Sequence, residues 1–125
     1  MSNCTHAAGI VRVDHIRAFG EIDFDKVFGR ECLWDSPDEV WDEYDNHPER
    51  FMPMGSEGSL QKSVWVNPKK SHLAAYTVSV FGDLRDHHDP QEIIDWFAEA
   101  CRKVDARNAV IVVENEINGR KEWSI

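Results

Sequence analysis

The sequence predicts one α+β domain, and three patterns carry that prediction. Apolar residues recur at helical spacing from Ile93 to Val104, they alternate along Ala74, Tyr76, Val78 and Val80, and a β-branched run stands at Val110 to Val113. Apolar residues make up 42% of the 125 positions and charged residues 30%, a balance that suits a globular chain able to bury its own core.

Residues 1–8 are expected to form a flexible N-terminal tail of the single domain 1–125. From about 9 to 24, Ile10, Ile16, Ala18, Ile22 and Phe24 share one parity, which predicts one long strand or two short ones bent at Gly20. Asp25 to Gly29 predicts a single turn closed by the glycine. Ser36-Pro37-Asp38-Glu39 has the spacing of a capping box, with serine at the N-cap, proline at N1 and glutamate at N3. A helix over about 37–46 is expected from it, and Pro48 limits its extension.

Strands are expected over Leu60 to Val66 and Leu73 to Gly82, separated by the turn Asn67-Pro68-Lys69-Lys70-Ser71. Asp89-Pro90-Gln91-Glu92 then repeats the helix-start logic, and Arg102 and Lys103 suit the negative end of the helix dipole. Ala109 to Ile117 reads as a strand buried on both faces. Asn118-Gly119 predicts a type I′ hairpin turn, after which Arg120 to Ile125 returns as an edge strand. The expected architecture is a mainly antiparallel sheet of four to five strands with two helices on one face. Its β-α-β-β-α-β-β order permits a ferredoxin-like arrangement.

The net charge of −9 is unevenly placed. Between Arg30 and Arg50 no lysine or arginine occurs, while Glu31, Asp35, Asp38, Glu39, Asp42, Glu43, Asp45 and Glu49 fall in that one stretch. The rest of the chain is nearly balanced, so this segment carries almost the whole excess.

Several chemistries find little support. The N-terminal residues lack a basic region followed by an apolar core, no apolar run is long enough to span a membrane, and three cysteines stand at unpatterned positions. A reduced protein in the cytoplasm is the expectation. Asp86-His87-His88-Asp89 is the densest group of metal-ligand types, but adjacent residues seldom converge on one ion without distant partners. Cys101 lies on the apolar stripe of the second long helix, and Cys32 has acidic neighbours that would raise its pKa. Neither a phosphate loop nor a serine elbow is present. Direct nucleic-acid binding is disfavoured by the charge, because Lys69-Lys70, Arg102-Lys103 and Arg120-Lys121 are thin basic patches. Neither cofactor nor metal is expected.

The acidic segment also carries large aromatics, and that combination directs the functional expectation. Trp34, Asp35, Asp38, Glu39, Trp41, Asp42, Glu43, Tyr44 and Asp45 form the candidate partner-binding set. Aromatic anchors ringed by charge suit docking on a basic protein surface, and nucleic-acid-binding proteins such as nucleases present the commonest ones. A non-catalytic inhibitor or immunity-type protein, or nucleic-acid mimic, of phage or bacterial kind would have this size and charge. Two alternatives stand beside it: a subunit that self-associates through the C-terminal edge strand, and a small metal-dependent hydrolase using His87 or His88.

Overall fold

One strand near the N-terminus organises the molecule. β1 (Cys4–Ile16) lies at the centre of a five-stranded antiparallel sheet, with β5 (Leu73–Arg85) on one side and β6 (Asn108–Asn115) on the other. β4 (Gln61–Val66) pairs with β5 at one edge, and β7 (Gly119–Ser124) pairs with β6 at the other. A two-stranded ribbon joins β2 (Met54–Gly55) to β3 (Gly58–Ser59). The helices are α1 (Phe24–Phe28), α2 (Asp38–Asn46) and α3 (Pro90–Lys103). This computed structural model describes residues 3–68 and 71–125, so Met1, Ser2 and the Lys69-Lys70 pair lie outside the described residues. The protein is α+β, with three helices where two were expected.

β1 begins well before the expected tail ends. Asn3, Thr5 and Ala7 are buried, and Cys4 already pairs with Arg85. The polar residues at the start of β1 conceal a strand that is held by its neighbours. Its parity is also the reverse of the expected one. Val11 and Val13 face the core with Ala7, whereas Ile10 and Ile16 face outward. Aliphatic residues occur on both parities of this strand, so alternation alone could not choose the inner face.

α3 starts where its cap predicts, with the Asp89 carboxylate accepting from Gln91 N at 3.0 Å and Pro90 at the first position. Ile93, Ile94, Phe97, Ala100 and Cys101 are buried against the inner face of the sheet. Phe24 and Phe28 of α1 extend the same layer, and Trp96 Nε1 donates to Phe28 O at 2.8 Å. On the other face, among the described residues, Ile10, Trp65, Phe81 and Val110 are exposed.

The predicted helix near 37–46 forms over 38–46, but without the capping box. Ser36 Oγ instead accepts from Leu33 N at 2.9 Å, and Ser36 N donates to Leu33 O, closing a tight turn before the helix. Because the hydroxyl is used in that turn, no side chain caps α2. The C-terminal hairpin also departs from expectation. Asn118 keeps a negative φ and Gly119 takes φ +84°, while the Asn115 side chain accepts from Ile117 N and Asn118 N. A three-residue loop followed by a left-handed glycine replaces the type I′ turn.

The two connections that pass over a strand differ in kind. α3 alone joins β5 to β6 across β1. The connection from β1 to β4 holds two short helices and the ribbon, so the strand order does not establish a ferredoxin-like fold. Among the described residues no helix is long and apolar enough to cross a membrane.

Candidate partner-docking surface

The acidic segment is fastened at both flanks by backbone pairing. Arg30 N donates to Arg50 O, Met52 N donates to Arg30 O, and Ser59 N donates to Cys32 O, all within 3.0 Å. Cys32 N in turn donates to Ser59 Oγ at 2.9 Å. Residues 30–33 are thereby tied into the strand-like stretch around Phe51 and into the ribbon. The turn at 34–37 and α2 project from this base.

α2 sits on it through one side only. Trp41 Nε1 donates to Leu33 O at 3.0 Å, the Trp41 and Tyr44 rings meet edge to face at 6.2 Å, and Tyr44 meets Phe51 at 5.6 Å. Both aromatics are half-buried and spend their apolar surface holding the helix down. Glu43 is tied to Arg30, and Arg50 approaches the same carboxylate at 3.6 Å. Of the nine predicted site residues, Trp41, Glu43 and Tyr44 are therefore supports rather than free contact groups.

The other six form the outward surface. Trp34 is 79% exposed in the turn that precedes α2. Asp35, Asp38, Glu39, Asp42 and Asp45 are exposed, and none of them has an ion-pair partner among the described residues. Trp34 thus adds apolar contact area to a surface whose carboxylates carry no cationic partner among the described residues.

Other chemistries remain thin. His87 is buried, with its Nε2 3.6 Å from the nearest Glu92 carboxylate oxygen, while His88 Nδ1 hydrogen-bonds the Asn3 side chain at 2.8 Å. No group of three ligating side chains converges among the described residues. A cleft of about 530 Å³ opens between α1 and residues 49–51, but Lys26, Arg30, Arg50 and Lys103 share it with Asp23, Asp25 and Glu49. It concentrates neither sign of charge.

Two of the three thiols lie inside the fold. Cys32 and Cys101 are buried, and burial pushes the Cys101 thiol up to about 11. Burial is also the main cause that raises Cys32, with Asp45 adding to it and Arg30 opposing it. The expected acidic effect on Cys32 is present but secondary. Cys4 is half-buried in β1 and not in a tail. A folded-state value above the unfolded one means that the neutral thiol is favoured by folding, so its contribution is complete at low pH. Stability should therefore fall as pH rises from the ordinary 9.0 of an unfolded thiol towards about 11. Urea unfolding at several values across that window should show a slope that Cys101→Ala reduces. An identical slope in the variant would remove the assignment.

The expectation that the strand at 109–117 is buried on both faces fails, because Val110 lies on the outer face of the sheet and is exposed. Ile10, Trp65 and Phe81 are exposed there as well. A signal for this face was present, since the run at 110–113 reads as covered on both faces while the structure covers only one.

No family model matches the chain, and neither a curated protein nor a solved structure shows significant similarity to it.

Proposed function

We propose that this protein is a non-catalytic binding module that docks its acidic turn and helix on a basic surface of a cytoplasmic partner, of the kind found on nucleases and other nucleic-acid-processing proteins. One observation carries the reading: Trp34 stands 79% exposed beside carboxylates that have no cationic partner among the described residues. The indole supplies apolar contact area that becomes dry on docking, and the carboxylates supply orientation and a fast, salt-sensitive encounter. Backbone pairing at 30–33 and the half-buried Trp41 and Tyr44 keep the surface in place before the partner arrives. Such preorganisation lowers the entropic cost of association.

The alternatives draw less support. β7 as an edge carries Arg120, Lys121 and Glu122, and Arg120 pairs with both Glu114 and Glu122. Charges of this kind guard an edge against pairing with another strand.

Capture from the native host with the full chain as bait, at low and moderate salt, identifies the partner. Charge reversal of Asp38, Glu39 and Asp42 to lysine should then weaken its binding and flatten the dependence of log K on log salt. Trp34→Ala should weaken binding by about 2 kcal/mol or more while leaving the urea midpoint unchanged. Glu43 is left intact because its loss would strand Arg30 and Arg50. If affinity ignores both sets of changes, this surface is not where the partner docks.

A further inference from the structure

Side chains on the outer face of the sheet stand in rows across the strands. Phe81, Ala8 and Val112 make one row, and Ser79, Ile10 and Val110 make the next. Ile10 is 52% exposed, Val110 42% and Phe81 39%. Between them the small groups of Ala8, Gly9 and Ser79 floor a shallow hollow of about 340 Å³, walled by Ile10, Phe81, Val110 and Val112. A β-branched strand such as 110–113 ordinarily belongs where both faces are covered. The folded chain covers one.

We propose that two copies of this chain pack these open faces together about a two-fold axis that crosses the strands at the level of Gly9. The surface is its own complement under that operation. Ile10 of each copy falls over Ala8 of the other, and Phe81 falls over Ser79, so large side chains meet small ones as sheet packing requires. Val110 meets Val112. The rows just beyond are complementary in charge. Asp83 and Glu114 flank His6 on one side of the apolar rows, and Arg12 stands on the other side between Thr77 and Asn108. The two-fold axis brings Arg12 of each copy over His6 of the other, between Asp83, which His6 meets at 2.6 Å, and Glu114. An axis along the strands would stack acid on acid, which excludes it.

Size and charge layout both permit the dimer. Five strands about 4.8 Å apart, each offering about 20 Å of length, present a face on the order of 500 Å² in plan, and side-chain relief raises its accessible area towards the roughly 800 Å² per partner of a stable interface. The acidic segment lies on the helix side, where Tyr44 and Phe51 line one hollow with Glu92 and Trp96 of α3, so the charge excess of each copy stays away from the seam. This inference is independent of the docking role proposed for that segment.

Sedimentation equilibrium of the full chain, from about 1 µM upward at moderate salt, should give twice the chain mass of 14.4 kDa. Ile10→Glu and Val110→Glu should each weaken the dimer about 30-fold or more. Both sites are exposed in the single chain, so circular dichroism and the urea midpoint of the diluted protein should stay unchanged. Arg12→Glu should weaken the dimer as well, and adding Glu114→Arg should restore part of the loss. A wild-type protein that remains monomeric at the highest concentrations, or a dimer indifferent to Ile10→Glu and Val110→Glu, would overturn the proposal. A face that instead binds a different protein while the chain stays monomeric would overturn it equally.

Discussion

Gly29→Ala should leave the protein largely unfolded at room temperature, or fold it only with the loss of more than about 4 kcal/mol. Gly29 ends α1 with φ +104°, and its amide donates to Asp25 O. A Cβ placed there would lie 2.5 Å from both Met52 N and Phe51 C, which are backbone atoms that cannot rotate away. Two penalties then act together: a backbone conformation that side-chain-bearing residues rarely adopt, at about 1–3 kcal/mol, and a collision with a neighbouring chain segment. Relief of that collision would break the pairing of Arg30 with Arg50 and Met52, and the acidic segment would lose its footing. Gly119→Ala is the control. It also has a positive φ, at +84°, but no atom lies within 4 Å of its Cβ, so the cost should be about 1 kcal/mol. Equal urea midpoints for the two variants would refute the steric argument.

Phe97→Ala should cost about 3–5 kcal/mol, a large share of the roughly 5–15 kcal/mol that holds such a domain together. Phe97 is fully buried in the middle of α3, with its ring edge-on to Trp123 of β7 at 5.7 Å and beside Trp96 at 6.2 Å. Truncation loses the burial and opens a cavity beneath two rings, of which Trp96 is anchored by its bond to Phe28 O. A collapse of the site is thereby restricted, which puts the cost at the upper end. Phe97→Leu should recover more than half of it. The comparison needs only denaturant curves for the three proteins with a common slope. A loss below about 1 kcal/mol would mean that the helix does not bear on the sheet as described.

The parts of the fold that are legible in sequence are those in which local chemistry and tertiary environment agree. α3 carries an aspartate cap, a proline at its first position, an apolar stripe and basic residues in its last turn, and each of these is used as predicted. β5 is likewise legible by alternation, since Ala74, Val78 and Val80 are buried, and the C-terminal hairpin forms where Asn118-Gly119 places it, though with a different turn. Legibility fails where a residue has two local options or where the decisive partner is distant. Ser36 could cap α2 or close the turn at Leu33, and it closes the turn. Thr5 looks like a tail residue, yet its hydroxyl donates to His87 O and accepts from Asn115 Nδ2, both far away in sequence. The inner face of β1 is hidden because only its neighbours decide which aliphatic parity is enclosed. In the candidate site, charge and composition are readable, but exposure is not. Trp34, Trp41 and Tyr44 look alike in sequence, and only the base at 30–33 and 50–52 separates the free indole from the two rings that hold α2.

The position of β1 has a consequence for how the chain is made. It is made before either of its two neighbours, the strands at 73–85 and 108–115. Cys4 must wait for Arg85, and Thr5 for Asn115. Contacts this distant in sequence slow folding, because the intervening chain must be closed into loops before they form. Until residues 73–85 have been made, a strand bearing Val11 and Val13 has no neighbour to pair with, and its second edge stays open until 108–115 follow. The chain is therefore most exposed to misassociation while these strands are still being made, and the emergence of β6, rather than of any early segment, completes the sheet around β1.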